Sequence, residues 1–499
     1  MSWRLPPGFR KLRPAAQRPP RPLDGPLHGP LVPGRSLRTS SCVRSDFLKD
    51  VENRLAAARR KAAAALPGSG WSPLEVNPRL PPERADVVIV GGGVVGWSVA
   101  YWLKRKEKGG AALKVVVVER DPTYRQCSTV LSVGGVRQQF SLLENVYLSM
   151  VSADFMRNIN EYLDVLDEDP VDVQFNQLGY LFLAGERGAQ IMTENHEVQR
   201  SAGAKVSLLS PARLKETFPW LNTEGVALAS YGLENEGWLD PWSLLNAFRR
   251  KALSMGVVQC HGEVTGFKHT TNVMKRTEGE HVAVKRIKSV KVQMPNGLEY
   301  QPVESAVVVN AAGAFSGRLA RMVAGLSSVV PVEPRKRYVF VFHCPDGPGL
   351  GTPLLIDPSG FYFRREGLEG NYIAGMSPTE EEEPDVSNLE VDHQFFEDRI
   401  WPLLASRVPA FESLKVTGAW AGYYDYNTFD QNAIIGLHPY ISNMYVATGF
   451  SGHGLQQAPA AGRAVAELIL DGDFRSLDLS RFDFGRILNN EPMLERNIV

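Results

Sequence analysis

The chain's 499 residues are enough for two or more domains, or for one large core with a subdomain. Lys plus Arg and Asp plus Glu number 55 each, so no overall charge field points to nucleic acid or to an acidic solvating tail. Cys42, Cys127, Cys260 and Cys344 stand far apart without a CxxC pair, which argues against a metal site and a disulfide framework and fits a reducing compartment.

Residues 1–45 carry eight arginines and Lys11 against a single acid, Asp24. With the serine-rich SLRTSS, this reads as a mitochondrial targeting segment; the alternative is a disordered basic tail. The prolines between Pro6 and Pro33 restrict any helix there to short pieces. Residues 46–66 have helical spacing, with Phe47, Val51 and Leu55 on one face. A linker rich in Pro, Gly and Ser completes the segment 46–84.

The stretch DVVIVGGGVVGWSVAYWL, Asp86 to Leu103, organises the rest of the chain. An apolar run meets Gly91, Gly93 and Gly96 and passes into an apolar helical segment. Dinucleotide binding needs this order: a tight turn, backbone close to a pyrophosphate, and a helix packed near the strand with its amides toward the phosphates. A second apolar run, LKVVVVE, ends at Glu119, which lies 23 positions beyond Gly96. That is close to the ~20-residue interval of an acid that binds a ribose hydroxyl. The alternative is an ordinary βαβ unit with an incidental glycine-rich turn, and NAD and FAD are not yet distinguished. Val87 to Leu103 lacks charge, but its glycines and length favour strand plus helix over a membrane span.

Gly134 and Gly135, leading to Arg137, suit backbone passing near a ligand. A helical stretch covers SLLENVYLSMVSADFMRNINEYLDVL. The basic tract from Lys268 to Gln301 reads as a solvated face, with Asn296–Gly297 as a hairpin turn. VVVNAAGAFSGRLA is a second strand–turn–helix around Gly313, and PRKRYVFVF and GFYFRREGLEGNYIAGMS alternate as strands. Glu380 to Glu383 forms an acidic loop with no assigned role. In MYVATGFSGHGLQQAP, Gly449, Gly452 and Gly454 turn a strand into a long helix whose N-terminal amides favour negative charge beneath them.

In this order VVIVGGGVVG with Glu119, SVGGVR, GWLDPWSLLNAF, VVVNAAGAFS, GYYDYNTFDQNAIIG and GFSGHGLQQAP resemble one family. It is the FAD-dependent amino-acid and amine oxidoreductases, which include D-amino-acid oxidase, sarcosine oxidase and dimethylglycine dehydrogenase. The resemblance implies an α/β fold with a Rossmann-like FAD-binding domain of the GR2/DAO type, from 85–148, 203–325 and 416–485. An antiparallel-sheet substrate domain would come from 149–202 and 326–415. It also implies that Gly91, Gly93 and Gly96 hold the FAD pyrophosphate and Glu119 the adenosine ribose. Gly134, Gly135, Arg137 and Gly313 would lie along the cofactor, and Gly449, Gly452, His453 and Gly454 would face the flavin ring.

The departures from the family carry information too. QCSTVLSVGG lacks the His to which some relatives attach flavin. Gly422, Tyr423 and Tyr424 stand where others place a Cys, and Cys127 does not match either position; non-covalent FAD is expected. Gln456 follows GFSGHGL where sarcosine oxidases carry a Lys for the substrate carboxylate, and NYIAGMS lacks their second Lys. Arg137 is expected to touch FAD or a substrate anion, or else to form a structural ion pair. Arg337 reads as a solvated or ion-paired strand residue, and Tyr424 and Trp420 as core or pocket wall.

With the basic leader, the motif set is similar to a mitochondrial branch of the family that serves assembly of respiratory-chain complex I (NADH dehydrogenase). That resemblance implies complex I assembly intermediates as partners and a station on the matrix side of the inner membrane, with peripheral association. The alternative is an active amine or amino-acid dehydrogenase or oxidase of the sarcosine/dimethylglycine type with a small amine or amino-acid substrate. A plain NAD-dependent enzyme leaves the GFSGHG block unexplained.

Overall fold

The computed structural model describes residues 81–107, 112–275, 281–295, 300–325 and 330–496. The expected targeting segment 1–45, the helix 46–66 and the Asn296–Gly297 turn lie outside the described residues. In chain order the site is framed by β1 (Arg84–Val90), α1 (Val94–Lys106), β2 (Val115–Glu119), β3 (Tyr300–Asn310), β4 (Val332–His343), β5 (Lys415–Asn427), β6 (Met444–Thr448) and α2 (Gly454–Asp471).

Val87 to Leu103 is thus a strand and a helix, as its glycines required. β1 is buried on both faces through Val87–Val90, which is why its sequence runs apolar without alternation. It pairs in parallel with β3 on one side and β2 on the other. The sheet reads Ile434–Leu437, β6, β3, β1, β2, Val258–His261, and the hairpin strands Glu263–Lys275 and His281–Gln293 extend from β3. Neighbours diverge to either side of the carboxyl end of β1, the place where open α/β sheets bind ligands.

α1 covers one face of this sheet and is itself crossed by α2. A Cβ on Gly462 of α2 would lie 2.2 Å from Ser98 Oγ of α1, so the two helices approach as closely as a glycine permits. The Trp102 indole donates to the Pro459 carbonyl at 2.9 Å across the same contact. One continuous core joins α1 and α2 to the helices Leu143–Arg157 and Pro241–Ser254.

The second sheet runs β5, β4, Asn371–Met376, Phe361–Glu366, Leu354–Ile356, Tyr180–Ala184, Leu228–Gly232, Val206–Leu209. It is antiparallel except where Leu354–Ile356 runs parallel to Tyr180–Ala184. Four segments depart from the expected boundaries. Val206–Leu209 and Leu228–Gly232, placed with the cofactor domain by sequence, belong to the second sheet, and β5 is an edge strand of that sheet. Conversely, Phe155, Met156, Ile159 and Leu163, placed with the substrate domain, pack into the core around α1. An apolar strand does not announce which sheet it joins, because that depends on partners far along the chain.

Candidate active site

A cavity of about 370 Å3 opens at the carboxyl end of β1 and extends to the second sheet. That volume falls within the ~300–1,000 Å3 of small-molecule and cofactor sites.

At one end stands the glycine cradle. Gly91 has φ +108°, and a Cβ there would meet the Ala311 carbonyl oxygen at 2.2 Å, so the turn tolerates only glycine. Gly93 caps α1, and its open side faces Thr129 Oγ1 and Cys127 Sγ, where a Cβ would sit at 3.4 and 3.9 Å. Gly91, Gly93, Val94 and Val95 line the cavity, with the α1 N-terminus directed at it. Glu119, at the end of β2, accepts from Gly92 N at 2.8 Å through Oε2 and from Asp121 N at 2.9 Å through Oε1. Burial pushes its carboxyl up, and those backbone donors pull it down. Each carboxylate oxygen retains a lone pair for a hydroxyl.

At the other end the turn between β6 and α2 closes on the cavity through Gly452, His453 and Gly454. Asp425 of β5 holds this turn: it accepts from Phe450 N at 3.0 Å, and the Gly449 and Gly452 backbones also bond to it. Burial raises its carboxyl to about 6 against these donors. His453 Nε2 meets Arg137 Nη2 at 2.8 Å. A guanidinium only donates, so Nε2 accepts and the imidazole is neutral with its proton on Nδ1. Burial, and then the Arg137 charge, lower His453 to about 3. Arg137 itself is buried, with its guanidinium carbon 4.6 Å from the Phe140 ring centre and 5.0 Å from that of Phe182. Its backbone N donates to Gln456 Oε1 at 2.7 Å. The neutral Gln456 therefore fixes the position of Arg137.

Between these ends Gly135 and Gly313 line the cavity, whereas Gly96, Gly134 and Gly449 do not. This differs from the expected place of Gly134 along the cofactor and of Gly449 at the flavin ring; for Gly96 it is the close helix–strand packing that the third glycine of the motif provides. A Cβ would lie 2.0 Å from Gly91 O at Gly96, 2.1 Å from Leu239 O at Gly134, and 2.9 Å from Val332 Cγ2 at Gly449. All three glycines serve close chain packing behind the wall. Arg337 is ion-paired, as expected, with Glu383 of the acidic loop. Tyr424 lines the cavity; Trp420 stands behind it and donates to Leu131 O at 2.9 Å.

Sequence reasoning did not single out Tyr180, Tyr362 and Asp425. Burial raises Tyr180 to about 12 and raises Tyr362 and Tyr424 as well, so all three remain phenols; Tyr424 donates to Ser451 O, which leaves the Tyr180 and Tyr362 hydroxyls to donate into the cavity. Asp425 lay within the quoted block GYYDYNTFDQNAIIG, and an acid inside an apolar strand was the available signal.

Glu236, buried behind Arg137, accepts from Gln138 N at 2.8 Å and Gln139 Nε2 at 2.7 Å. Burial raises it from 4.5 to about 7, opposed by these bonds and by Arg137. Because the folded value is the higher, the folded chain binds the extra proton. Its contribution to stability is full below pH 4.5 and is lost as pH rises through 7. Glu236→Gln is expected to flatten that fall, read by urea unfolding at a series of pH values in parallel with the unaltered chain.

Residues 86–468 match the FAD dependent oxidoreductase (DAO) family. The chain is 63% identical over 476 residues to FAD-dependent oxidoreductase domain-containing protein 1 of Xenopus laevis, covering 93% of this chain and 95% of that one. It is 26% identical to mitochondrial dimethylglycine dehydrogenase of Mus musculus, covering 81% of this chain and 45% of that longer protein. Among solved structures, L-proline dehydrogenase from P. horikoshii superposes with a TM-score of 0.68 at 28% identity, over 83% of this chain and all of that one. FAD is the cofactor of this fold, and the residues present suit it: an open glycine cradle at a helix N-terminus, a carboxylate with free lone pairs, and a second helix N-terminus across the cavity. The chain belongs to the FAD dependent oxidoreductase family, in the branch of the FAD-dependent oxidoreductase domain-containing protein 1 relatives.

Proposed function

We propose that this flavoprotein works in mitochondria, on the matrix side of the inner membrane, in the assembly of respiratory-chain complex I, and that it holds FAD without a covalent bond. The basic leader and the resemblance to a mitochondrial branch support the setting. The observation that carries the reading is an intact cradle beside a donor end whose arginines are engaged internally, Arg137 by His453 and Arg337 by Glu383. Among the described residues, no lysine lines the cavity to clamp a substrate carboxylate. Such a chain is better suited to holding a cofactor than to clamping and turning over an amino acid. Mitochondria lacking the chain should accumulate complex I subassemblies on native gels, and restoring it should clear them. Fully assembled complex I in its absence would overturn the assembly role.

Non-covalent attachment is supported by the place of Cys127, beside Gly93 at the phosphate end. Burial raises its thiol to about 11, so it is no nucleophile. Acid precipitation should release the yellow colour into the supernatant; colour kept in the pellet would contradict this.

A second reading, an amine or amino-acid dehydrogenase, is favoured by the polar chamber of Tyr180, Tyr362, Tyr424 and Arg137. When bound, FAD supplies a two-electron acceptor for a carbon–nitrogen donor. The chain's own residues do the rest. Arg137, fixed by Gln456 and His453, would border the donor, and the Tyr180 and Tyr362 hydroxyls would donate hydrogen bonds to it. The neutral His453, its Nε2 occupied, takes no proton from the donor in this arrangement. Anaerobic mixing with secondary amines and amino acids should bleach the flavin under this reading. No bleaching, with co-migration on complex I intermediates, favours the first.

A further inference from the structure

The acidic loop from Glu380 to Glu390 packs against the donor end of the cavity. Arg337, on β4, lines the cavity, and its guanidinium carbon lies 5.1 Å from the centre of the Tyr424 ring. Both of its terminal nitrogens donate to Glu383, Nη1 to Oε2 and Nη2 to Oε1, each at 2.9 Å. The Arg337 and Glu383 side chains are each 16% exposed, and Arg335 adds a longer contact of 3.8 Å to the same carboxylate. Glu383 does not itself line the cavity; Arg337 connects it to the wall. The Arg337 Nε–H is buried and makes no hydrogen bond.

This two-pronged pairing is the one in which a guanidinium recognises a carboxylate ligand. The loop carrying Glu383 is held in place by other bonds. Lys336 Nζ donates to Glu390 O at 3.3 Å, Tyr423 Oη to Val386 O at 3.2 Å, and Glu382 pairs with Arg399. Glu383 is therefore presented to Arg337 by a loop that is fixed independently of the pair.

We propose that Glu383 is an internal carboxylate that occupies Arg337 and makes the donor end select against carboxylate-bearing ligands, in favour of neutral or cationic amines. The proposal rests on the reading of this end as a donor chamber. With Glu383 in place, Arg337 contributes little net charge to the chamber and lends its fork to no incoming anion. Neutralising Glu383 leaves an unbalanced guanidinium charge at the cavity wall, with Nη2 free of its carboxylate while Nη1 keeps its bond to the Lys336 carbonyl at 2.9 Å.

The test uses the FAD-loaded full chain, titrated with propanoate and with its uncharged counterpart propanamide, and reads the shift of the flavin visible bands. Glu383→Gln should bind propanoate ~10-fold or more tightly than the unaltered chain, with propanamide binding unchanged. Glu382→Gln, which releases the neighbouring Arg399 but spares the Arg337 pair, should leave both affinities as they are. Equal propanoate affinity in the unaltered chain and Glu383→Gln would overturn the proposal, as would tighter binding of both probes or an equal gain from Glu382→Gln. If neither probe perturbs the flavin in any variant, the donor-chamber reading fails, and this proposal with it.

Discussion

Alanine at Gly91 is expected to leave the purified protein with less than about a tenth of its flavin and a lowered midpoint of thermal unfolding. Two costs coincide at this residue. A φ of +108° is foreign to a side chain-bearing residue, a strain of ~1–3 kcal/mol. The added Cβ would also lie 2.2 Å from the Ala311 carbonyl oxygen at the end of β3, and backbone cannot swing aside as a flexible side chain can. Overpacking of this kind costs a further ~1–3 kcal/mol. Relief requires β1 and β3 to part at their carboxyl ends, where the cradle is built. Gly349, where an added Cβ would meet no atom within 4 Å, is the matched control; alanine there should change stability by less than ~0.5 kcal/mol. The ratio of visible to ultraviolet absorbance reads flavin content, and a full complement in the Gly91 variant would contradict the role assigned to the turn.

Asp430→Ala is expected to destabilise the chain by ~3–5 kcal/mol, because it strands a buried guanidinium. Arg486 is buried and donates to Asp430 through Nε at 2.6 Å and Nη2 at 3.1 Å. Asp430 also accepts from Asn427 Nδ2, Asn432 N and Met493 N, so its loss removes several partners together. Asn427 N in turn donates to Ser451 Oγ at 3.0 Å, so the damage reaches the turn that faces the cavity. Weaker flavin retention should accompany the lower stability. Replacing both members, Asp430→Ala with Arg486→Met, should recover part of the loss, since no buried charge is then left alone. Urea unfolding of the single and double variants checks this. A double variant no more stable than Asp430→Ala alone would show that the other hydrogen bonds of Asp430, rather than the charge pair, dominate.

The cradle was legible because everything it needs is contiguous. Gly91 to Leu103 contains its own turn, cap and helix, and Glu119 follows on the adjacent strand. The roles of Gly134 and Gly449 were less so. A glycine at a wall and a glycine behind it look alike in sequence, and the carbonyl or side chain that decides between them, such as Leu239 O for Gly134, lies far along the chain. The second sheet was legible as strands but not as a sheet: Tyr180 reaches the cavity because its strand pairs with Leu354–Ile356, which lies far along the chain. The acidic loop was visible as a charge run, and Arg337 as an ion-paired strand residue, yet nothing local joined them across 46 positions. The reading of Gln456 as a lost cation was sound as chemistry. The structure adds that its amide positions Arg137.

The most direct measurement of the central claim is the visible spectrum of the purified full-length protein, before and after acid precipitation. The folded protein should show the two-banded absorption of oxidised flavin, and acid should release the yellow colour to the supernatant. A colourless protein that takes up no FAD when mixed with it would contradict the assignment of this chain as a flavoprotein.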